Sequence, residues 1–134
     1  MCGDFHPPPL RVLYVEDDRL CALLFSEMLR DENGVALRVA EDGAEALAIA
    51  TEWRPQVLVI DAWLPDQTGH ALLPRLRALP GLESAHAIMC SADSDVDDRA
   101  RAMAAGFAAF WPKPVEAGAV RAAMRALAAA RAAG

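Results

Sequence analysis

From Arg11 onward the chain alternates short apolar runs of strand length with longer stretches of helical spacing, and it does so five times. Few folds accommodate that rhythm: each strand-length run must be buried on both faces, which predicts a parallel sheet covered by helices. The strand candidates are residues 12–15, 35–39, 57–60, 87–90 and 108–111, whose valine and isoleucine content suits buried strands. Between and after them, core-facing stripes are read at Leu20, Leu24 and Met28, at Ala46, Ala50 and Trp53, and at Leu72, Leu76 and Leu79. Two more follow at Val96, Ala100 and Met103, and at Val120, Met124 and Leu127, with Arg121 and Arg125 on the wet side of the last.

Local signals agree with this division. Asp42 followed by Glu45 reads as a capping box, and Asp95, Asp97 and Asp98 crowd a helix start, where the dipole favours anions. Pro74 is the misfit, lying inside the third predicted helix, where a kink or a late start is expected. Residues 1–9, with three consecutive prolines, read as an extended arm ahead of a domain at 10–132.

Length and composition narrow the classes of function. The 134 residues fit one ordinary domain, and 54% hydrophobic with 24% charged residues is globular rather than disordered. A net charge of -6 leaves no broad cationic surface for phosphate backbones or anionic lipid, so neither nucleic acid nor membrane is expected as a partner. Cys2, Cys21 and Cys90 form no CxxC pair, which argues against a disulfide framework and points to a cytoplasmic setting. No stretch reaches the about 18 apolar residues of a membrane span.

In a doubly wound sheet, ligands gather beyond the carboxyl ends of the strands, so what each strand runs into matters most. The first runs into Glu16, Asp17 and Asp18, and the third into Asp61. Carboxylates held about 4 Å apart repel by about 4 kcal/mol at an effective dielectric of 20, a repulsion that a divalent cation would relieve. The donors are all oxygens, which favours Mg²⁺ over zinc or copper. The fourth strand ends in Ser91, a hydroxyl donor, and the fifth is followed by Lys113, a fixed positive charge. That set suits phosphoryl transfer to a carboxylate, with Asp61 as nucleophile. Singly, each residue has a plainer explanation: acids between strand and helix usually cap or turn, and a lysine before proline is usually solvated. Their joint placement at strand ends carries the chemical reading.

The ordered set EDD, DAWLPDQTG, SA and FWPKP, each at a strand end, resembles the response-regulator receiver family over residues 11–131 or so. The resemblance implies a flavodoxin-like (βα)5 fold with strand order 2-1-3-4-5. It also implies roles: Asp61 as phosphoacceptor, Asp17 as direct Mg²⁺ ligand, Glu16 as the acid reaching the metal through water, and Trp63 giving its backbone carbonyl. Ser91 matches the switch hydroxyl, Phe110 the switch aromatic and Lys113 the ammonium that pairs with the phosphoryl oxygens, while Pro114 implies a cis bond. Pro65 and Gly69 match the turn into the third helix, and Gly106 fits a helix-ending turn. Trp63 and Asp93 stand where relatives tune dephosphorylation.

The expected function is a phosphoacceptor in a two-component system or phosphorelay, loaded by a histidine kinase or histidine phosphotransfer protein. Output would pass to a protein target through the face of the fourth helix, fifth strand and fifth helix, where a homodimer is also possible and where Trp111 and Pro112 are unusually apolar. The chain is expected to be a signalling phosphoprotein, acting on its own phosphoryl group only; a receiver fragment of a larger regulator or hybrid kinase, or a phosphorylation-independent binding module, is the alternative. A haloacid dehalogenase-type phosphatase would need a second aspartate at position 63, which is Trp. A flavodoxin-like cofactor binder would need Ser, Thr or Gly amides where the first loop is acidic.

Overall fold

The computed structural model describes residues 8–92 and 95–133. Five strands, β1 (Leu10–Val15), β2 (Val35–Ala40), β3 (Val57–Asp61), β4 (His86–Ser91) and β5 (Ala109–Pro112), form one parallel sheet in the order β2-β1-β3-β4-β5. Helices α1 (Arg19–Leu29), α2 (Gly43–Trp53), α3 (Gly69–Arg77), α4 (Val96–Ala104) and α5 (Ala117–Ala133) follow the strands in turn. Each predicted strand lies within its observed one except the fifth, which begins one residue later than expected.

The strand period of two divides the core. Leu13, Val15, Leu58, Ile60 and Met89 face one side with Ala46 and Ala50 of α2 and Leu72 and Leu76 of α3. Val12, Tyr14, Val59 and Cys90 face the other with Phe25 and Leu29 of α1 and Val120 and Met124 of α5. The sheet's order reverses between β1 and β3, so the two strands that end in carboxylates lie side by side, with Val15 opposite Ile60.

Two helical stripes differ from expectation. In α1 the core side is Phe25 and Leu29, while Leu20, 64% exposed, and Leu24 face outward and Met28 is half-buried. The segment offers two apolar faces at the same four-residue spacing, and Phe25 decides between them by stacking on Tyr14 with ring centroids 4.1 Å apart. In α4, Val96, 80% exposed, Ala100 and Met103 all face outward, and the buried residue is Ala102. Small Ala102 lets the helix lie close over the sheet edge, where Phe107 and Phe110 fill the volume that larger helix residues would need.

The start signals hold. Asp42 accepts from the Glu45 N–H at 2.8 Å, and Glu45 reaches back one residue beyond the expected box, to the Glu41 N–H at 2.7 Å. Asp18 caps α1 and Asp95 caps α4, each through its own side chain. α3 begins at Gly69, capped by Thr68, and runs through Pro74, so the expected late start does not occur. Gly106, at φ 107°, ends α4 in the left-handed conformation.

Phe25→Ala should cost about 3–5 kcal/mol and Leu24→Ala, on the outward face, under about 1 kcal/mol in urea unfolding. Equal losses would mean that α1 turns its other face inward.

Candidate functional site

β1 delivers Glu16 and Asp17 directly after its last residue, and β3 ends on Asp61 itself. Glu16, Asp17 and Asp61 each offer a carboxylate oxygen, and these oxygens lie within 4.8 Å of one another. Lys113, next after β5, brings its Nζ to 3.2 Å from Asp61 Oδ1 and into contact with Glu16 Oε1. Its backbone N–H donates to the Ser91 carbonyl at 2.9 Å, which fixes the start of the loop after β5 against the end of β4. The Lys113–Pro114 peptide is cis, as expected.

Glu16 is buried and well held. The Tyr14 hydroxyl donates to its Oε1 at 3.2 Å and the Asp18 N–H to its Oε2 at 3.3 Å. Tyr14 is the residue that sequence reasoning missed, and the signal was present: two residues before Glu16 on an extended strand, it shares Glu16's side of the chain. Asp18 is used as a helix cap, accepting from the Leu20 and Cys21 N–H groups at 2.9 and 3.1 Å. Gly69 is required by close approach, because a Cβ there would lie 2.7 Å from the Asp61 carbonyl oxygen.

The electrostatics follow from burial and crowding. Burial, then the Glu16 charge, push the Asp61 carboxyl up to about 6, against the pull of Lys113. Burial acts to depress the Lys113 ammonium, but the Glu16 hydrogen bond and the Asp61 and Glu16 charges outweigh it and hold it above its ordinary value. Burial raises the Cys90 thiol, so this neighbour in β4 is no competing nucleophile.

Ser91 and Phe110 lie beside this cluster, lining a cavity of about 260 Å³ with Trp63, Thr68, His70 and Arg101. The Phe110 ring is buried, with the Arg99 guanidinium 5.3 Å from its centroid. Trp63 is 65% exposed and forms a bridge with Thr68 across the loop after β3. Asp93 lies outside the described residues. Trp111 is half-buried, packed against the core layer of α1 and α5 rather than standing clear of the surface.

Comparison with known proteins decides what this arrangement belongs to: the model of the response regulator receiver domain matches residues 12–125. The chain belongs to the response regulator receiver domain family. This receiver domain is 36% identical over 105 residues to an uncharacterized 14.6 kDa protein of Leptolyngbya boryana, covering 78% of this chain and 79% of that one. It is 37% identical over 107 residues to the probable transcriptional regulatory protein TcrX of Mycobacterium tuberculosis, covering 79% of this chain and 44% of TcrX. The chain thus spans less than half the length of that relative. The structure of a putative response regulator from Chloroflexus aurantiacus superposes with a TM-score of 0.81 at 28% identity, covering 90% of this chain and 98% of that one. Membership places the domain in two-component signalling, as a signalling phosphoprotein of the kind served by histidine kinases and read by downstream targets. Receiver domains bind Mg²⁺ through acidic residues, and here the acidic cluster is present. No helix among the described residues is long and apolar enough to cross a membrane.

The Asp61 shift has a measurable consequence. Its folded value is raised above the unfolded 3.8, so between pH 3.8 and about 6 the folded state holds more protons and stability falls as pH rises. Without divalent cations, Asp61→Asn should therefore stabilise the fold by on the order of 2 kcal/mol above pH 6, the gain vanishing below pH 4. Denaturant unfolding across that range measures it, and a gain independent of pH would contradict the assignment.

Proposed function

We propose that this receiver domain accepts a phosphoryl group on Asp61 from a histidine kinase or histidine phosphotransfer protein, and that the acyl phosphate reshapes a protein-binding face. The observation that carries the reading is Asp61, 7% exposed at the end of β3, with the Lys113 ammonium 3.2 Å away. An Asp61 carboxylate oxygen forms the new O–P bond as the donor's N–P bond breaks, and the departing imidazole keeps that bond's electron pair and takes up a proton. Lys113 Nζ stands ready for the charge on the phosphoryl oxygens, a fixed cation needing no reorganisation.

The donor set fits Mg²⁺: three carboxylates with mutually close oxygens, which Glu16, Asp17 and Asp61 would contribute together with the Trp63 carbonyl. When bound, the ion supplies charge screening between the carboxylates and the incoming phosphoryl group.

The acyl phosphate adds about -1.5 to -2 of charge beside Ser91, whose hydroxyl then donates to a phosphoryl oxygen. Ser91 and Phe110 line the same cavity, so a shift of one changes the space open to the other. We assign the readout to the face of α4, β5 and α5, where Val96 and Met103 stand exposed on α4. A protein target, or a second copy of this chain, would meet that face. Trp63 and Asp93 are the side chains we assign to the rate of phosphoryl loss to water. We take residues 10–132 as the receiver unit and a cytoplasmic setting as its place of work. Its acidic surface argues against direct nucleic-acid contact by this unit.

Intact mass after incubation with a small acyl phosphate and Mg²⁺ tests the reading. One added phosphoryl group is expected on the wild type, none on Asp61→Asn, and none with the metal chelated. No addition to the wild type, even from a phosphorylated histidine kinase, would favour a phosphorylation-independent binding module. Ser91→Ala should still be phosphorylated but lose most of the phosphorylation-dependent gain in target affinity; an unchanged gain would remove Ser91 from the switch.

A further inference from the structure

The loop between β3 and α3, which carries Trp63, is closed on itself at its base and tied to another element at its tip. At the base, the Gly69 N–H donates to the Ala62 carbonyl at 2.9 Å and the Leu64 N–H to the Gln67 carbonyl at 3.1 Å. At the tip, the two carboxylate oxygens of Asp66 accept separately from the Gly43 N–H at 2.9 Å and the Ala44 N–H at 3.0 Å. These are the first two residues of α2, more than 20 positions away in sequence.

α2 already has its own cap, since Asp42 takes the Glu45 N–H at 2.8 Å. Asp66 therefore satisfies the two first-turn donors that the local cap does not reach, with a charge of the sign the helix start favours. The neighbouring Gln67 packs over Gly43 and accepts from Arg75 at 3.1 Å, so the loop tip is held from α3 as well.

The consequence lies at the acidic pocket. The α2 start follows directly from the end of β2, where the Ala40 carbonyl accepts the Glu16 N–H at 2.9 Å. One continuous set of bonds thus joins Glu16 to the end of β2, the end of β2 to the α2 start, and the α2 start to the loop that leaves Asp61. We propose that Asp66 is a positioning residue for this site: its two bonds to α2 hold the Trp63 segment in register with Asp61, Glu16 and Asp17. The inference rests on the phosphoacceptor reading, because the geometry it preserves is that of the Mg²⁺ donors. Asp66 touches neither metal nor phosphoryl group and acts through the loop backbone.

Asp66→Ala and Asp66→Asn, compared with the wild type well below their unfolding midpoints, test it by two readouts. Without metal, hydrogen exchange at the Leu64 and Gly69 amides should quicken in Asp66→Ala while the β3 amides keep their protection. With metal, the Mg²⁺ concentration for half-saturation, followed by tryptophan fluorescence, should rise about 10-fold, as for other groups that orient a metal ligand without touching the ion. Asp66→Asn, which keeps one acceptor oxygen, should fall between the two. A lowered melting temperature with wild-type Mg²⁺ half-saturation and wild-type exchange in the loop would mean that Asp66 only caps α2, and would overturn the proposal. Failure of the reading beneath it looks different: the wild type itself would then bind no Mg²⁺ and take no phosphoryl group, and the inference would fall with it.

Discussion

Everything at the working edge of this domain depends on one ammonium set between two buried carboxylates. Glu16 and Asp61 leave water at the adjacent ends of β1 and β3, and Lys113 meets both from the far side of the sheet edge. Removing Lys113 would leave two buried carboxylates uncompensated in a poorly solvated place, which costs far more than an exposed ion pair returns. Asp17 adds a third carboxylate oxygen within 4.8 Å of the other two, so among the described residues three acids crowd the place that Lys113 meets. Burial first, and the neighbouring Glu16 charge second, raise the Asp61 carboxyl against the pull of Lys113.

The fold brings these groups together at modest sequence cost. Parallel strands with both faces buried must all point their carboxyl ends the same way, so residues 16, 61, 91 and 113 reach one edge although they are spread along the chain. The reversal of strand order at β1 and β3 leaves a crevice between the first and third loops, and the two acid-bearing loops border it. The same edge then carries both a charged pocket and, beside it, the cavity shared by Ser91 and Phe110.

Much of this was legible in the residues. Strand-length runs ending on Glu16, Asp61 and Ser91 gave the sheet and its edge, because burial on both faces leaves little freedom in how such runs pair. Faces of single helices were less legible. Leu20, Leu23 and Leu24 compete with Phe25 and Leu29 for the core side of α1, and only the Tyr14 ring below decides it. α4 was misread for a related reason: apolar Val96 and Met103 face outward, while small Ala102 makes the contact. Long-range side-chain bonds were not legible at all. That Asp66 would meet Gly43 and Ala44 depends on how two loops dock, and no local pattern encodes it.

Among the several acids at this edge, Asp61 is the one proposed to carry the phosphoryl group. That assignment is tested most directly by reducing the phosphorylated protein with borohydride and mapping the peptides, since reduction of an aspartyl phosphate leaves homoserine in its place. Homoserine is expected at position 61, with aspartate retained at positions 17, 18 and 66. Homoserine at another acid, or a phosphoryl group that resists reduction because it sits on His70 or a hydroxyl, would contradict it.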